Sequence, residues 1–297
     1  MNFAFSEEQE ELRRLARKWL SEKSPSAVVR SLMETDNGYD PAMWAEMAHM
    51  GWQGMAIPEE YGGAGFGQLE LAVLFEEMGR SLLPAPFFST VALGSAAILE
   101  GGSEKQKHDI LGRVAAGEAT VALAFTEQNG RWDEIGVESV AEPSGNGWSI
   151  SGTKSFVLDG HTADFLVVAA RSPEGVSLFL VEADADGIAR RRLETMDMTR
   201  KQAEVILTNV TVSDDRVVGP LGEGWVVIER VLEKAVVNLA AEQVGGAQKC
   251  LEMSVDYAKT RYQFGRPIGS FQAIKHKCAD MLVQVESAKS AHLCLMA

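Results

Sequence analysis

Two helical patterns that flank a short glycine-rich loop constrain this chain more than any other feature does. Before the loop, apolar residues recur at intervals of three or four, at Ala240, Val244, Ala247, Leu251, Val255 and Ala258. After the loop, Ile274, Cys278, Met281 and Val285 repeat the spacing. This spacing predicts two amphipathic helices, each with one apolar stripe. Both stripes must be buried, so we expect the two helices to face a common core.

The loop between these helices carries groups that suit a planar ligand with phosphates. Its two glycines and one proline predict a turn that projects the neighbouring side chains. The guanidinium of Arg261 can pair with phosphate oxygens, the ring of Phe264 can cover an aromatic face, and the amide of Gln272 can satisfy ring heteroatoms. A plain helical hairpin with a basic loop is the alternative interpretation.

The string KTRYQFGRPIGSFQ, which runs from Lys259 to Gln272, resembles the helix-loop-helix of flavin-dependent acyl-CoA dehydrogenases. Further segments are similar to that family's signatures: PEEYGGAG from Pro58 to Gly65, SGTKSFVLDG from Ser151 to Gly160, and MDMTR from Met196 to Arg200. In the family, the arginine and phenylalanine of the loop reach the FAD of a neighbouring subunit. The resemblance therefore implies that Arg261, Phe264 and Gln272 bind FAD and that the chain is at least a dimer.

Composition narrows the class of protein without identifying it. The 297 residues are 46% hydrophobic and 24% charged, which is typical of a soluble globular chain of two or three domains. A formal charge of −14 argues against nonspecific binding to nucleic acid or to anionic membranes. The three cysteines have no metal or redox spacing, and we expect them to be reduced core residues. The charged first twenty residues predict neither a signal peptide nor a membrane span, so a cytoplasmic chain is expected.

The periodicity changes twice along the chain and predicts an α+β fold. Helical patterns fill residues 1–120, short β-branched runs separated by turns fill 121–220, and helical patterns return over 221–297. We predict an N-terminal helical domain, a middle antiparallel β-barrel domain and a partial C-terminal helical bundle. The chain stops at Ala297 inside a helical pattern, whereas the resembled family continues through further helices. Either a tail lies beyond this sequence, or this is a short subunit that borrows its site.

The resemblance implies a flavin-binding face on the middle domain. Phe125 and Thr126 match the end of the family strand whose main-chain groups and threonine bond to the flavin ring. Phe156 stands where a tryptophan normally stacks beside the flavin, and it keeps an aromatic face. Leu158 stands where a threonine hydroxyl normally meets flavin N5, and a leucine cannot form that hydrogen bond. Trp132 replaces a serine beside the pyrophosphate and is a candidate substrate-binding residue because of its bulk.

The family reaction needs a glutamate base that this sequence does not supply at the usual position. Ungapped alignment of the segment from Gly222 to Gly245 puts Ala235 there, and a methyl group cannot accept a proton. Ala235 is then a substrate-lining candidate. Glu242 follows two helical turns later, about 10 Å along the same face. It is a candidate base, and a structural ion pair or helix contact is the alternative role.

By resemblance, the chain takes an α-proton and a β-hydride from an acyl-CoA, gives a trans-2-enoyl-CoA, and passes the electrons to an electron-transferring flavoprotein. The alternative is a noncatalytic or site-completing subunit of a heteromeric acyl-CoA dehydrogenase. An oxidase of the same fold is a third possibility. The sequence thus predicts an FAD enzyme that forms a homo-oligomer, as a dimer or tetramer, or pairs with a heteromeric partner subunit.

Overall fold

The structure is a computed structural model and describes residues 5–296. Within that range the chain forms two compact units. One contains Ala27–Gly67 and Pro84–Ala235; the other contains the first helix, Gln68–Leu83 and the chain from Val236 onward. Among residues 5–296, no helix combines the length and apolar character needed to cross a bilayer. The domain boundaries expected at residues 120 and 220 stay predictions.

Six α-helices precede the first strand. They are α1 (Glu7–Lys23), α2 (Ser26–Met33), α3 (Pro41–His49), α4 (Gln68–Ser81), α5 (Ala96–Gly101) and α6 (Glu104–Ala115). Ser6 with Gln9 three residues on is the sequence pattern of a capping box, and it opens α1: Ser6 Oγ accepts the N–H of Gln9, and the Gln9 side chain accepts the N–H of Ser6. Asp40 caps α3 through a single hydrogen bond, which its carboxylate accepts from the N–H of Ala42.

A π-helical segment, Phe88–Ser95, lies where the sequence predicted part of an ordinary helix. All of its residues are buried, so hydrophobic periodicity could not distinguish its winding from that of an α-helix. Thr90 Oγ1 accepts the N–H of Val121, and Ser89 Oγ donates to Asp159 Oδ2 at 2.6 Å. The segment therefore satisfies polar groups at the start of the first strand and in a turn of the middle region.

Eight strands form one sheet. They are β1 (Val121–Ala124), β2 (Val140–Pro143), β3 (Gly147–Leu158), β4 (Phe165–Ser172), β5 (Gly175–Glu182), β6 (Ile188–Leu193), β7 (Gln202–Ser213) and β8 (Val217–Val218). The order is β6-β7-β3-β2-β4-β5-β8, and β1 pairs with β4. The sheet is mixed rather than wholly antiparallel, because β1 and β2 both run parallel to β4. No hairpin joins them to β4, so the parallel direction is available to both.

Alternate residues of these strands build the core of this unit. Its members include Ile150, Val168, Phe179, Val205 and Val210, all fully buried. The ring of Trp148 packs against Phe179 with centroids 5.7 Å apart. Burial of each large apolar side chain stabilises the folded state by about 2 kcal/mol. The core thereby fixes the register that positions the strand ends.

Two long helices end the described chain, as the apolar stripes predicted. They are α7 (Gly224–Thr260) and α8 (Gln272–Met296), and a two-residue hairpin of β9 (Tyr262–Gln263) and β10 (Arg266–Pro267) connects them. Val244, Leu251 and Val285 from the stripes are buried. The expected core position of the cysteines is wrong, because Cys250 and Cys294 are exposed and Cys278 is half-buried, although all three are free thiols.

Helices α4 and α7 approach closely where both carry glycine. A Cβ added at Gly79 would lie 1.9 Å from the carbonyl oxygen of Glu242, and one added at Gly245 would lie 1.8 Å from the carbonyl oxygen of Glu76. Any larger residue at either position would force the helices apart. An ion pair reinforces this packing, because the Arg80 guanidinium donates twice to Glu252. A second pair joins α1 to α4, where Arg13 lies 2.8 Å from the Glu76 carboxylate.

Candidate active site

The chain just after β1 is joined to β3 by reciprocal hydrogen bonds. The N–H of Ser155 donates to the carbonyl oxygen of Thr126 at 3.0 Å, and Thr126 Oγ1 donates to the carbonyl oxygen of Ser155 at 2.5 Å. Thr126 and its neighbour Phe125 are both buried. Because its hydrogen is committed to Ser155, the Thr126 hydroxyl presents only acceptor lone pairs to anything else.

A bulge in β3 exposes the ring of Phe156. Between Lys154 and Val157 the register against β7 shifts. An advance of three residues on β3 there corresponds to an advance of two residues on β7. Phe156 adopts a φ of +60° and is 50% exposed. This backbone region is costly for a bulky residue and persists only where the surroundings enforce it. The bulge therefore turns an aromatic side chain outward, whereas Leu158 beyond it is half-buried.

A buried ion pair lies directly beside these residues. Lys154 Nζ lies 2.6 Å from Glu127 Oε1, and both side chains are buried. The same oxygen accepts the N–H groups of Glu138 and Ser139 at 3.0 and 2.9 Å. Burial lowers the pKa of Lys154 to about 8, although Glu127 opposes the shift. Burial alone would raise the pKa of Glu127, but the Lys154 ammonium and the N–H donors outweigh it and hold that pKa below its usual range.

The ion pair was not predicted from the sequence. The strings that contain Glu127 and Lys154 were recognised by their resemblance, but neither residue was given a role. One signal was available. Lys154 occupies an inward position of a strand, and a lysine at such a position needs a partner charge.

An aromatic group surrounds Phe125. The ring of Trp132 packs edge-on at 5.2 Å between centroids, and the ring of Trp225 lies at 6.5 Å. Trp132 is 65% exposed, while its loop is held by the bidentate pair between Arg131 and Asp133. This arrangement offers an open apolar surface near Thr126, and it includes Trp132, the residue expected to contact substrate.

Helix α7 carries both residues considered for the position of the base. Ala235, in the unit that holds the sheet, is buried at 3% exposure. Glu242, in the other unit, is half-buried, and its main chain lies against Gly79 of α4. That contact gives Glu242 a packing role, and its assignment as a base stays a prediction.

The loop between α7 and α8 is ordered by its own contacts, and its tip is exposed. Phe264 and Gly265 have φ of +53° and +77°, as a tight two-residue hairpin requires. The Arg266 guanidinium stacks on the ring of Phe271 at 4.2 Å. Phe264 is 91% exposed, and Arg261 and Gln272 are exposed as well. Within residues 5–296 the Arg261 side chain makes no ion pair, so its guanidinium remains available.

The predicted site residues therefore fall into two groups. Phe125, Thr126, Trp132 and Phe156 belong to one unit, and the loop residues belong to the other. The first group fits a flavin ring, because an outward aromatic face stands beside a hydroxyl acceptor and an apolar surface. The second group fits phosphates, because an unpaired guanidinium lies beside an exposed ring. Leu158 contributes no hydrogen bond to either.

Comparison with known protein families gives three successive matches. Residues 6–118 match the acyl-CoA dehydrogenase N-terminal domain, residues 122–210 the middle domain and residues 222–296 the C-terminal domain. Acyl-CoA dehydrogenase IpdE2 of Mycolicibacterium smegmatis is 33% identical over 287 residues, which cover 96% of this chain and 75% of that protein.

Solved structures agree with these matches. An acyl-CoA dehydrogenase from Bacillus anthracis complexed with FAD superposes with a TM-score of 0.91 at 26% identity, over 97% of this chain and 50% of that one. The ChsE4-ChsE5 complex from Mycobacterium tuberculosis superposes with a TM-score of 0.88 at 28% identity, over 100% and 78%. The chain therefore belongs to the acyl-CoA dehydrogenase family, whose members are FAD-dependent oxidoreductases acting on CH–CH groups.

Proposed function

We propose that this chain dehydrogenates an acyl-CoA thioester between its α and β carbons to a trans-2-enoyl-CoA and passes the two electrons to an electron-transferring flavoprotein. The observation that carries the proposal is the bulge of β3, which turns Phe156 outward beside Thr126. An exposed aromatic residue in a costly backbone conformation is typical of a binding surface. In this family, that surface is the expected place for a flavin.

Different residues of the chain would bind the flavin ring, the pyrophosphate and the acyl group. Phe156 offers a ring for stacking, and the Thr126 hydroxyl accepts a hydrogen bond from a ring N–H. Arg261 of a neighbouring copy would pair with the pyrophosphate, and Phe264 and Gln272 of that copy would contact the rest of the dinucleotide. FAD, when bound, supplies the acceptor for the β-hydrogen as hydride. Trp132 and Ala235 would line the acyl group and exclude water from it.

The α-proton requires a base, and Glu242 is our candidate within this chain. Replacement of Glu242 by glutamine keeps the size of the side chain and removes its basicity. We expect Glu242→Gln to lower kcat by about a hundredfold or more, since a positioned general base contributes at least that much. Acyl-CoA turnover with an artificial electron acceptor measures the effect.

The control is Glu233→Gln, which changes an exposed glutamate on the same helix. It should leave kcat unchanged, and both variants should retain FAD. Unchanged turnover in Glu242→Gln would show that the Glu242 carboxylate is not the base, since its contact with Gly79 is made by the main chain and is kept in the variant.

A second candidate function rests on the buried methyl of Ala235. If the base position is empty, this chain would complete the site of a second, related subunit by contributing its Arg261 loop. The ChsE4-ChsE5 structure is a complex of two different chains, and it supports an arrangement of this kind. In that case the chain alone binds FAD weakly and does not turn over acyl-CoA, and a partner subunit restores both.

A further inference from the structure

We propose that Lys154 and Glu127 are positioning residues for the flavin-facing pair Thr126 and Phe156. The inference rests on the proposed function, because it assigns the ion pair to the same cofactor surface. Neither side chain needs to touch the cofactor. Their role is to hold the end of β1 against the bulge of β3.

Strand pairing explains why a special device is needed at this place. β2 accompanies β3 only from Trp148 to Ser151, where Val140 is the last partner. Beyond Ser151, no strand among residues 5–296 continues the β2 ladder along this edge of β3, and the chain that follows β1 takes the place of β2. Thr126 lies opposite Ser155, and Glu127 lies opposite Lys154, in an antiparallel register of two residues.

One carboxylate oxygen of Glu127 receives three donors. Glu127 Oε1 accepts the Lys154 ammonium and two main-chain N–H groups, those of Glu138 and Ser139. The carboxylate therefore ties three segments together: the end of β1, the middle of β3 and the turn before β2. Charge-assisted hydrogen bonds are the strongest ones a side chain offers for such a purpose.

Burial of this ion pair carries a desolvation cost. Taking an ammonium and a carboxylate out of water costs several kcal/mol per ion, and a well-packed apolar pair of similar volume is often as stable. Stability alone therefore gives little reason for an ion pair here. The directional contacts of an ion pair do explain its presence. An apolar pair could not set the register of Thr126 against Ser155 or hold Phe156 at positive φ.

The test compares the wild-type chain with Lys154→Met and with the double variant Lys154→Met/Glu127→Gln. The single variant leaves a carboxylate buried without its partner and should lower the unfolding temperature. The double variant removes both charges, while the glutamine oxygen can still accept the Glu138 and Ser139 N–H groups. We expect the double variant to recover most of the unfolding temperature.

Two further readouts separate positioning from stability. FAD titrated into the apo chain should bind the double variant about tenfold more weakly than wild type, the loss expected for one oriented hydrogen bond. Hydrogen exchange of segment 152–157, read by mass spectrometry without FAD, should become faster in the double variant, whereas exchange of segment 178–181 in β5 should not change. The matched control is Arg80→Met/Glu252→Leu, which removes an ion pair of the other unit and should leave FAD affinity as in wild type.

A double variant that binds FAD as tightly as wild type overturns the inference and leaves the proposed function standing. The same holds if FAD affinity falls while exchange of segment 152–157 is unchanged, because the effect would not then act through position. A wild-type chain that takes up no FAD, alone or with a partner chain, overturns the proposed function and this inference with it.

Discussion

At Phe156, one backbone angle decides what the strand presents to solvent. A regular strand would continue the inward phase of Trp148, Ile150 and Lys154, and it would therefore turn Phe156 inward with its ladder intact. The bulge and the positive φ instead leave the ring half exposed. A side chain of this size pays for that conformation with roughly 1 to 3 kcal/mol of strain, so the surrounding contacts must supply the difference.

Arg261 carries the first prediction at this scale. We expect Arg261→Ala to weaken FAD binding by about ten- to a hundredfold, since a charge-assisted phosphate contact contributes about 1.5 to 3 kcal/mol. Arg261→Lys should restore only part of the affinity, because an ammonium lacks the planar fork. Titration of apo protein with FAD measures all three dissociation constants.

Light scattering on the same samples gives the control, since the FAD-loaded species should be at least a dimer. A monodisperse monomer that binds FAD tightly, with no loss in Arg261→Ala, would contradict the shared site. It would also remove the role assigned to Phe264 and Gln272.

Single residues were predictable where their chemistry is visible without contacts. The sequence was sufficient to predict that the loop presents a guanidinium and an exposed ring. It was also sufficient to predict that Ala235 stands where the resemblance places a glutamate. The ion pair of Lys154 and Glu127 was missed because it joins positions that are 27 residues apart in the sequence. No local spacing rule brings such a pair together.

At the scale of elements, the contact between α4 and α7 depends on glycine and on the ion pair of Arg80 and Glu252. The Arg80 guanidinium donates to both carboxylate oxygens of Glu252 at 2.8 and 2.6 Å. These hydrogen bonds lower the pKa of Glu252 from 4.5 to about 2. Because the unfolded chain binds this proton more readily, the pair stabilises the fold above about pH 4.5 and the contribution is lost as the pH falls through the folded pKa.

We therefore expect Glu252→Gln to lower the free energy of unfolding at neutral pH by about 1 kcal/mol, a modest value because the carboxylate is more than a third exposed. The difference from wild type should shrink as the pH falls from 4.5 toward 2. Urea unfolding at several pH values measures it, and the exposed Glu286→Gln on α8 is the control. A difference that does not change across this range would contradict the assignment.

The sequence predicts an element where a single apolar pattern dominates. It does not predict one where charged residues or full burial remove that pattern. The capping box of α1 and the stripes of α7 and α8 were sufficient to predict those helices. β6 departs from the expected β-branched runs because its sequence, IARRRL, places three arginines in a strand that pairs with β7 and is largely exposed. β2 departs from them because it is four residues long and ends in proline.

At the scale of the whole molecule, the α+β fold and the FAD cofactor followed from separate sequence signatures, and the family comparisons confirm both. The mixed character of the sheet could not be predicted, since strand direction depends on pairing between β1 and β4 rather than on composition. The catalytic base could not be predicted either. The position where the resemblance places the base holds alanine, and the contact of Glu242 with Gly79 involves its main chain rather than its carboxylate.

The most direct measurement of the central claim is a single turnover without dioxygen. The chain is loaded with FAD and mixed with a panel of acyl-CoA thioesters, while the visible flavin absorbance and the mass of the thioester are followed. We predict that the absorbance falls and that one thioester loses two hydrogens in equal amount, as conversion to a trans-2-enoyl-CoA requires. Glu242→Gln should bind the same FAD but lose this absorbance about a hundredfold or more slowly. A chain that holds FAD but neither bleaches nor yields an enoyl-CoA with any thioester would contradict catalysis by this chain alone and favour the site-completing subunit.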